Sequence, residues 1–176
     1  MPIKNNKLCI FTGLPGTGKS ALAEAVGRGL GIPVFAKDWL EAVLLCSKLV
    51  PAETEKQLGS IGYDLLTTLA ERQLSLDQSV ILDSVASTES IRNTWRDLGK
   101  KYKAERRVIE CVCSNISVHR ERLEQRQRNI PGWYELQWSD VEFVQSYFAP
   151  WDEERLILDS VNPVDQNILA ALKYCQ

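Results

Sequence analysis

Short apolar runs alternate along this chain with stretches whose apolar residues recur every three or four positions, so strands and helices are expected in turn. Residues 7–12, with Leu8, Cys9, Ile10 and Phe11 in succession, read as a buried strand. Residues 19–30 read as a helix on Leu22, Ala25, Val26 and Leu30 that stops at Gly31. A short second strand is expected over 33–36, then a helix capped by Asp38 and carrying Leu40, Val43, Leu44 and Leu45. Thr54 and Gln57 fit a capping box for a helix with Leu58, Ile61, Leu65 and Leu69 on one face. The third strand falls at 79–83, and Ile91, Trp95, Leu98 and Tyr102 then mark an amphipathic helix. A fourth strand is expected at 107–113 and a charged helix at 115–128, followed by a loop bearing Trp133, Tyr134 and Trp138. Ser139 with Glu142 reads as a second capping box ahead of Val141, Val144 and Phe148. Residues 156–158 form the fifth strand, and Asn162 with Pro163 the cap and first turn of a last helix. Such alternation implies an α/β fold whose mainly parallel sheet is covered on both faces.

The 176 residues suit one domain on the usual ~150-residue scale, and no linker or repeat divides 1–176. With 44% apolar and 25% charged residues, the chain can bury a core and is not a disordered segment. Lys and Arg number 21 against 23 Asp and Glu, a net charge of -2 that excludes a general nucleic-acid coat. A local basic cluster, Lys100, Lys101, Lys103, Arg106 and Arg107, sits near a helix end where cations suit the dipole. No apolar run approaches the ~20 residues of a membrane span, and the first residues lack a signal-peptide core. Five scattered cysteines without a Cys-x-x-Cys, and one histidine, argue for reduced thiols in a cytoplasmic setting rather than a zinc site or disulfide framework. That histidine, His119, reads as a surface residue of the charged helix.

The chemistry concentrates at Gly13-Leu14-Pro15-Gly16-Thr17-Gly18-Lys19-Ser20, a complete G-x-x-x-x-G-K-[ST] motif between an expected strand and an expected helix. Glycines let such a loop turn so that successive backbone N–H groups face phosphate oxygens, and the helix N-terminus adds to the field. Lys19 would reach the β- and γ-phosphates of ATP and Ser20 would coordinate magnesium, with Ala21 completing the nucleotide-contacting set. No Asn-Lys-x-Asp motif for guanine is present.

The loop, Asp38 at the end of the second strand, Asp83 after Val-Ile-Leu, and Arg122-Leu-Glu-Gln-Arg126 together resemble the P-loop kinase family. The branch is that of the phage polynucleotide kinase domain, chloramphenicol phosphotransferase, gluconate kinase and zeta-type toxins. Such chains are often labelled AAA-type ATPases, although Ser84 follows Asp83 here and no Asp-Glu pair ends a strand. The resemblance implies a three-layer fold with five parallel strands in the order 2-3-1-4-5 and a helical lid over about 115–138. It implies that Asp38 orients or deprotonates an acceptor hydroxyl, and that Asp83 helps hold magnesium through water or contacts the acceptor. Arg122 and Arg126, four apart and so on one helix face, would stabilise the transferred phosphoryl group, with Arg120 and Arg128 in the same run. The turn 160–163 would lie beside adenine. Arg92 and Arg96 read as a solvated helix face.

Three functions follow. The first is a kinase transferring the γ-phosphoryl of ATP to a small-molecule hydroxyl. The second is a polynucleotide or nucleoside 5′-hydroxyl kinase; against it stands Glu41, where the polynucleotide kinases have arginine. The third is an ATP-binding or ATPase regulatory protein without transfer.

Overall fold

The apolar runs pair in parallel. In the computed structural model, which describes residues 6–47 and 58–176, five strands form one sheet. They are β1 (Lys7–Thr12), β2 (Val34–Ala36), β3 (Val80–Asp83), β4 (Glu105–Val112) and β5 (Leu156–Asp159), in the order β2-β3-β1-β4-β5 with every pairing parallel. Central β1 must be apolar on both faces, because helices cover both. Leu8 and Ile10 pack against Leu66, Ala70, Leu74, Trp95 and Leu98, which belong to α3 (Leu58–Ser75) and α4 (Glu89–Lys101). Cys9 and Phe11 meet Leu22, Val26, Ala171 and Cys175 of α1 (Lys19–Leu30) and α7 (Val164–Cys175) on the opposite face. The register brings the strand ends together: Phe11 and Ala36 both stand opposite Asp83, and Thr12 opposite Glu110. In an open parallel sheet, that edge is where ligands bind. No helix among the described residues is long and apolar enough to cross a membrane.

Several local expectations shift. Ala36, not Asp38, caps α2 (Lys37–Cys46); Asp38 lies in its first turn, where a negative charge still suits the helix N-terminus. The buried stripe of α3 is Leu58, Gly62, Leu66, Ala70 and Leu74, one position round from the expected face, and Leu65 is exposed. Gly62 sets that rotation. A Cβ there would stand 2.6 Å from Oε1 of Glu41, so the missing side chain lets α3 close on α2. Thr54 and Gln57 lie outside the described residues.

The charged helix α5 (Ile116–Gln125) is capped by the Asn115 side chain and ends before Arg126. α6 (Trp138–Tyr147) starts two residues early, with Gln137 and Asp140 forming the capping box in place of Ser139 and Glu142. Glu142 instead accepts from Nε1 of Trp138 at 2.8 Å. Pro163, not Asn162, is the N-cap of α7. In the basic cluster, Lys100, Lys101, Arg106 and Arg107 pair with Asp97, Glu71, Glu153 and Glu105.

Arg92 is not solvated. Its side chain is fully buried, with Nε donating to Ala86 O at 2.9 Å and Nη1 and Nη2 donating to Pro150 O and Ala149 O at 2.8 Å. The guanidinium lies 3.8 Å from the centre of the Trp151 ring. It therefore ties α4 to the segment entering β5, with its charge spread over three carbonyls and an aromatic face. Arg96 completes the seam by pairing with Glu89, Asp152 and Glu153. Arg92→Ala would strand those carbonyls and open a cavity beside Trp151. The expected loss is about 3 kcal/mol, read in a thermal melt as a fall of roughly 10 °C; an unchanged melting temperature would show that the seam does not hold the sheet edge.

Candidate functional site

The phosphate-loop motif folds as a tight turn between β1 and α1. Gly13 has φ 138, and a Cβ on it would collide with the carbonyl oxygen of Cys111 on β4. Gly16 has φ 87, and a Cβ there would press at 3.1 Å on both the His119 ring and Leu123. Only glycine serves at either position. Thr17 closes the turn, its N and Oγ1 both donating to Leu14 O at 3.3 and 2.8 Å. Gly18 is the N-cap of α1 and provides no side-chain cap, so the first N–H groups of α1 are left for an anion. Lys19 is 6% exposed and makes no ion pair within 4 Å among the described residues. A buried ammonium above open N–H groups fits a phosphate chain.

Asp83 ends β3 and Asp38 lies in the first turn after β2, at the same edge of the sheet as that loop. Burial pushes the Asp38 carboxyl up, but Lys19, Arg128 and Lys37 together hold it below the ordinary carboxylate range. Arg128 forms a direct ion pair with Asp38. Asp83 is buried at the end of β3, and desolvation raises its pKa against the opposing pull of Lys19 and the Ser20 hydroxyl. Its Oδ1 has no hydrogen-bond partner. An orphaned carboxylate oxygen beside a serine hydroxyl suits a divalent cation held with phosphate and water. Among the described residues no cluster of three or more His, Cys, Asp or Glu would bind a metal without phosphate.

The arginines divide. α5 stops at Gln125, and Arg126 is its C-cap in extended conformation (ψ 145), so Arg122 and Arg126 do not share a helix face. The run leaves the helix because Arg128 is held on both sides, its backbone N–H by Glu135 Oε1 at 2.8 Å and its guanidinium by Asp38. Arg122 donates through Nη1 to Ser160 O at 2.7 Å. With Thr17, Gly18, Ala21 and the 160–163 turn it lines a cleft of about 470 Å³. Arg126 keeps Nε and Nη2 buried without partners, and burial together with neighbouring Arg128 lowers its pKa. Unsatisfied guanidinium donors of this kind await an anion.

Two residues that the sequence reading undervalued belong here. Arg128 was read only as one of a run, and its pairing with Asp38 required the fold. His119 is 5% exposed, not on the surface, with Nε2 2.7 Å from Pro15 O and its ring edge-on to Trp138 at 5.1 Å. The available signal was its spacing four residues before Leu123, which puts both on the inward face of α5. Trp138 is the first residue of α6 rather than part of the loop. Trp133 and Tyr134 stack on each other at 4.9 Å, and the loop before them rests on α2, with Cys46 Sγ donating to Pro131 O at 3.4 Å. Glu41 is buried and paired with Lys37, a bolt between α2 and α3 rather than a group open to an acceptor.

Solved structures share this architecture. A protein from Chloroflexus aurantiacus j-10-fl described as a "putative kinase" superposes with TM-score 0.77 at 23% identity, over 98% of this chain and 100% of that one. The Mycobacterium tuberculosis APS kinase CysC in complex with AMPPNP and APS gives 0.67 at 17%, over 97% of each chain. Chaetomium thermophilum Kti12 in complex with ADP-AlF3 gives 0.67 at 18%, over 96% and 99%. At these identities the likeness establishes the fold, a P-loop kinase-like three-layer sandwich. No curated protein matches the chain. Residues 8–136, from β1 through the arginines and the aromatic loop, match the AAA domain family AAA_33, and the chain belongs to that family.

Proposed function

We propose that this protein is an ATP-dependent phosphotransferase that moves the γ-phosphoryl group to a hydroxyl of a small molecule. The observation that carries this reading is Asp38 in the first turn after β2, ion-paired with Arg128 and held below the ordinary carboxylate range by Lys19, Arg128 and Lys37. A carboxylate so placed can align an acceptor hydroxyl as it could a water, and the fate of the labelled phosphoryl group separates transfer from hydrolysis. The APS kinase structure, whose named ligands are a nucleotide analogue and APS, supports transfer as a use of this fold. A small acceptor is supported by the segment after α5. It touches Asp38 through Arg128 and α2 through Pro131, so a polymer end would have to displace it.

On this reading the backbone N–H groups of Gly16 and Gly18 and of the first turn of α1, with the Lys19 side chain, bind the phosphate chain, and Arg122 with Ala21 and the 160–163 turn bounds the base and ribose. Magnesium bound with the nucleotide, held by Ser20 and through water by Asp83, would draw charge from the phosphate oxygens. The acceptor oxygen forms a bond to the γ-phosphorus as the bond to the β–γ bridging oxygen breaks, and ADP leaves. The hydroxyl proton passes to Asp38. A carboxylate held below its ordinary pKa is a weak base, so Asp38 acts mainly by aligning the hydroxyl and takes the proton late, as a loose transition state allows. Arg126 supplies the unpaired donors that would meet charge on the transferred group, and the closing segment keeps out competing water.

Incubation with magnesium, γ-labelled ATP and pools of metabolites, nucleosides and oligonucleotides tests this directly. Label is expected on a small acceptor, with Asp38→Asn lowering the rate about 10²–10³-fold. Equal release of free phosphate by both proteins would establish an ATPase instead, and label on oligonucleotides a polynucleotide kinase.

Asp38 also titrates predictably. Arg128 helps hold its pKa down, so Arg128→Ala should move the Asp38 titration upward in a carboxyl carbon NMR experiment. The acid limb of kcat/KM should move to higher pH with it. The pair's contribution to stability, present above the ordinary carboxylate pKa and lost as pH falls through the depressed one, should shrink in the same variant. An unmoved titration would show that Lys19 and Lys37 suffice.

A further inference from the structure

A phosphate loop presents its N–H groups inward, which turns its carbonyls outward, and each outward carbonyl that is buried needs a donor. Leu14 O is satisfied inside the loop by Thr17. Pro15 is buried, and its carbonyl is met by Nε2 of His119, 104 residues later on α5. A carbonyl can only accept, so Nε2 is the donor in this contact. The ring is held on its other sides by Trp138, edge-on, and by the flat surface of Gly16, which leaves room for it only because it has no Cβ.

The planarity of the peptide bond gives this contact its consequence. In a trans peptide the C=O and N–H point in opposite directions, and the Pro15 carbonyl shares its plane with the Gly16 N–H. Holding the carbonyl outward against His119 therefore aims the Gly16 N–H into the cradle. Gly16, at φ 87, puts little backbone resistance in the way of this peptide turning over, because glycine has nearly equal access to either sign of φ. Without an outside donor, that peptide is free to flip and present a carbonyl to the phosphates instead.

We infer that His119 is a positioning residue for nucleotide binding, setting the Pro15–Gly16 peptide from α5 so that the Gly16 N–H faces phosphate. The contact also ties α5 to the loop. His119 fastens its inner face to the loop, and Arg122 fastens its flank to Ser160. The inference rests on the nucleotide-binding half of the proposed function and is independent of whether phosphoryl transfer follows.

The test is calorimetric binding of ADP with magnesium to the intact protein and three variants. His119→Phe keeps a ring for Trp138 but has no donor; His119→Gln places an N–H near the position of Nε2; Lys19→Ala is the control for the loop. The expected result is ADP binding weakened about fivefold to tenfold in His119→Phe, with His119→Gln recovered to near the parent value. The melting temperatures of the apo forms should not follow that order. Parent-like binding by His119→Phe would overturn the inference. So would equal loss in the Phe and Gln variants that tracks their melting temperatures, because that pattern belongs to packing. Failure of the parent protein to bind ADP, or undiminished binding by Lys19→Ala, would overturn the nucleotide reading itself, and this inference with it.

Discussion

Gly13 lies against the carbonyl of Cys111, a contact closed to every residue with a side chain, and the rest of the site is arranged around it. It joins the end of β1 to β4 just where the chain must reverse into α1. Because the join is made by backbone, the loop inherits the rigidity of the sheet's centre rather than the mobility of an exposed turn. Thr12 strengthens the same point by donating to Val85 O at 2.6 Å, which draws in the strand end that carries Asp83. Glycines that would weaken a strand or helix elsewhere are here the condition for close approach.

Charge is the second organising constraint. Lys19, Asp38, Asp83, Arg126 and Arg128 are brought into one partly desolvated edge of the sheet, where neighbouring charges act on Asp38, Asp83 and Arg126. Asp38 remains ionised because three cations outweigh its burial, whereas Asp83, more deeply buried, is shifted the other way. Burying unpaired charge and orphaned donors is costly, and a packed protein keeps them chiefly where a ligand completes them. Asp83 Oδ1 and the Nε and Nη2 of Arg126 are such groups. The structural arginine, Arg92, makes the contrast plain: it is as buried as any, but three carbonyls and Trp151 complete it without a ligand.

Sheet class, element order and the phosphate loop were legible in the chain because their signals are local. Uninterrupted apolar runs mark strands buried on both faces, and a glycine-lysine spacing encodes a backbone turn. The strand order came from resemblance and not from periodicity, and the five-stranded sheet agrees with it. Errors fell where a residue's partner is distant. The face of α3 was misread because Gly62, weak as an apolar signal, is what α2 packs against. α5 was drawn too long because Arg128 has excellent helix propensity, and only the folded chain holds Asp38 within its reach.

The sequence by itself determined that this protein has an α/β fold with a phosphate-binding turn at the centre of a parallel sheet, since propensity, patterning and glycine spacing all act within a few residues. Tertiary structure alone decided that Arg92 is an internal brace, that Arg128 guards Asp38, and that His119 backs the Pro15–Gly16 peptide. Each of those roles is a meeting of side chains or carbonyls from separate elements. Its energy comes from excluding water between groups that are neighbours only after the sheet has formed, and no local pattern of residues carries that information.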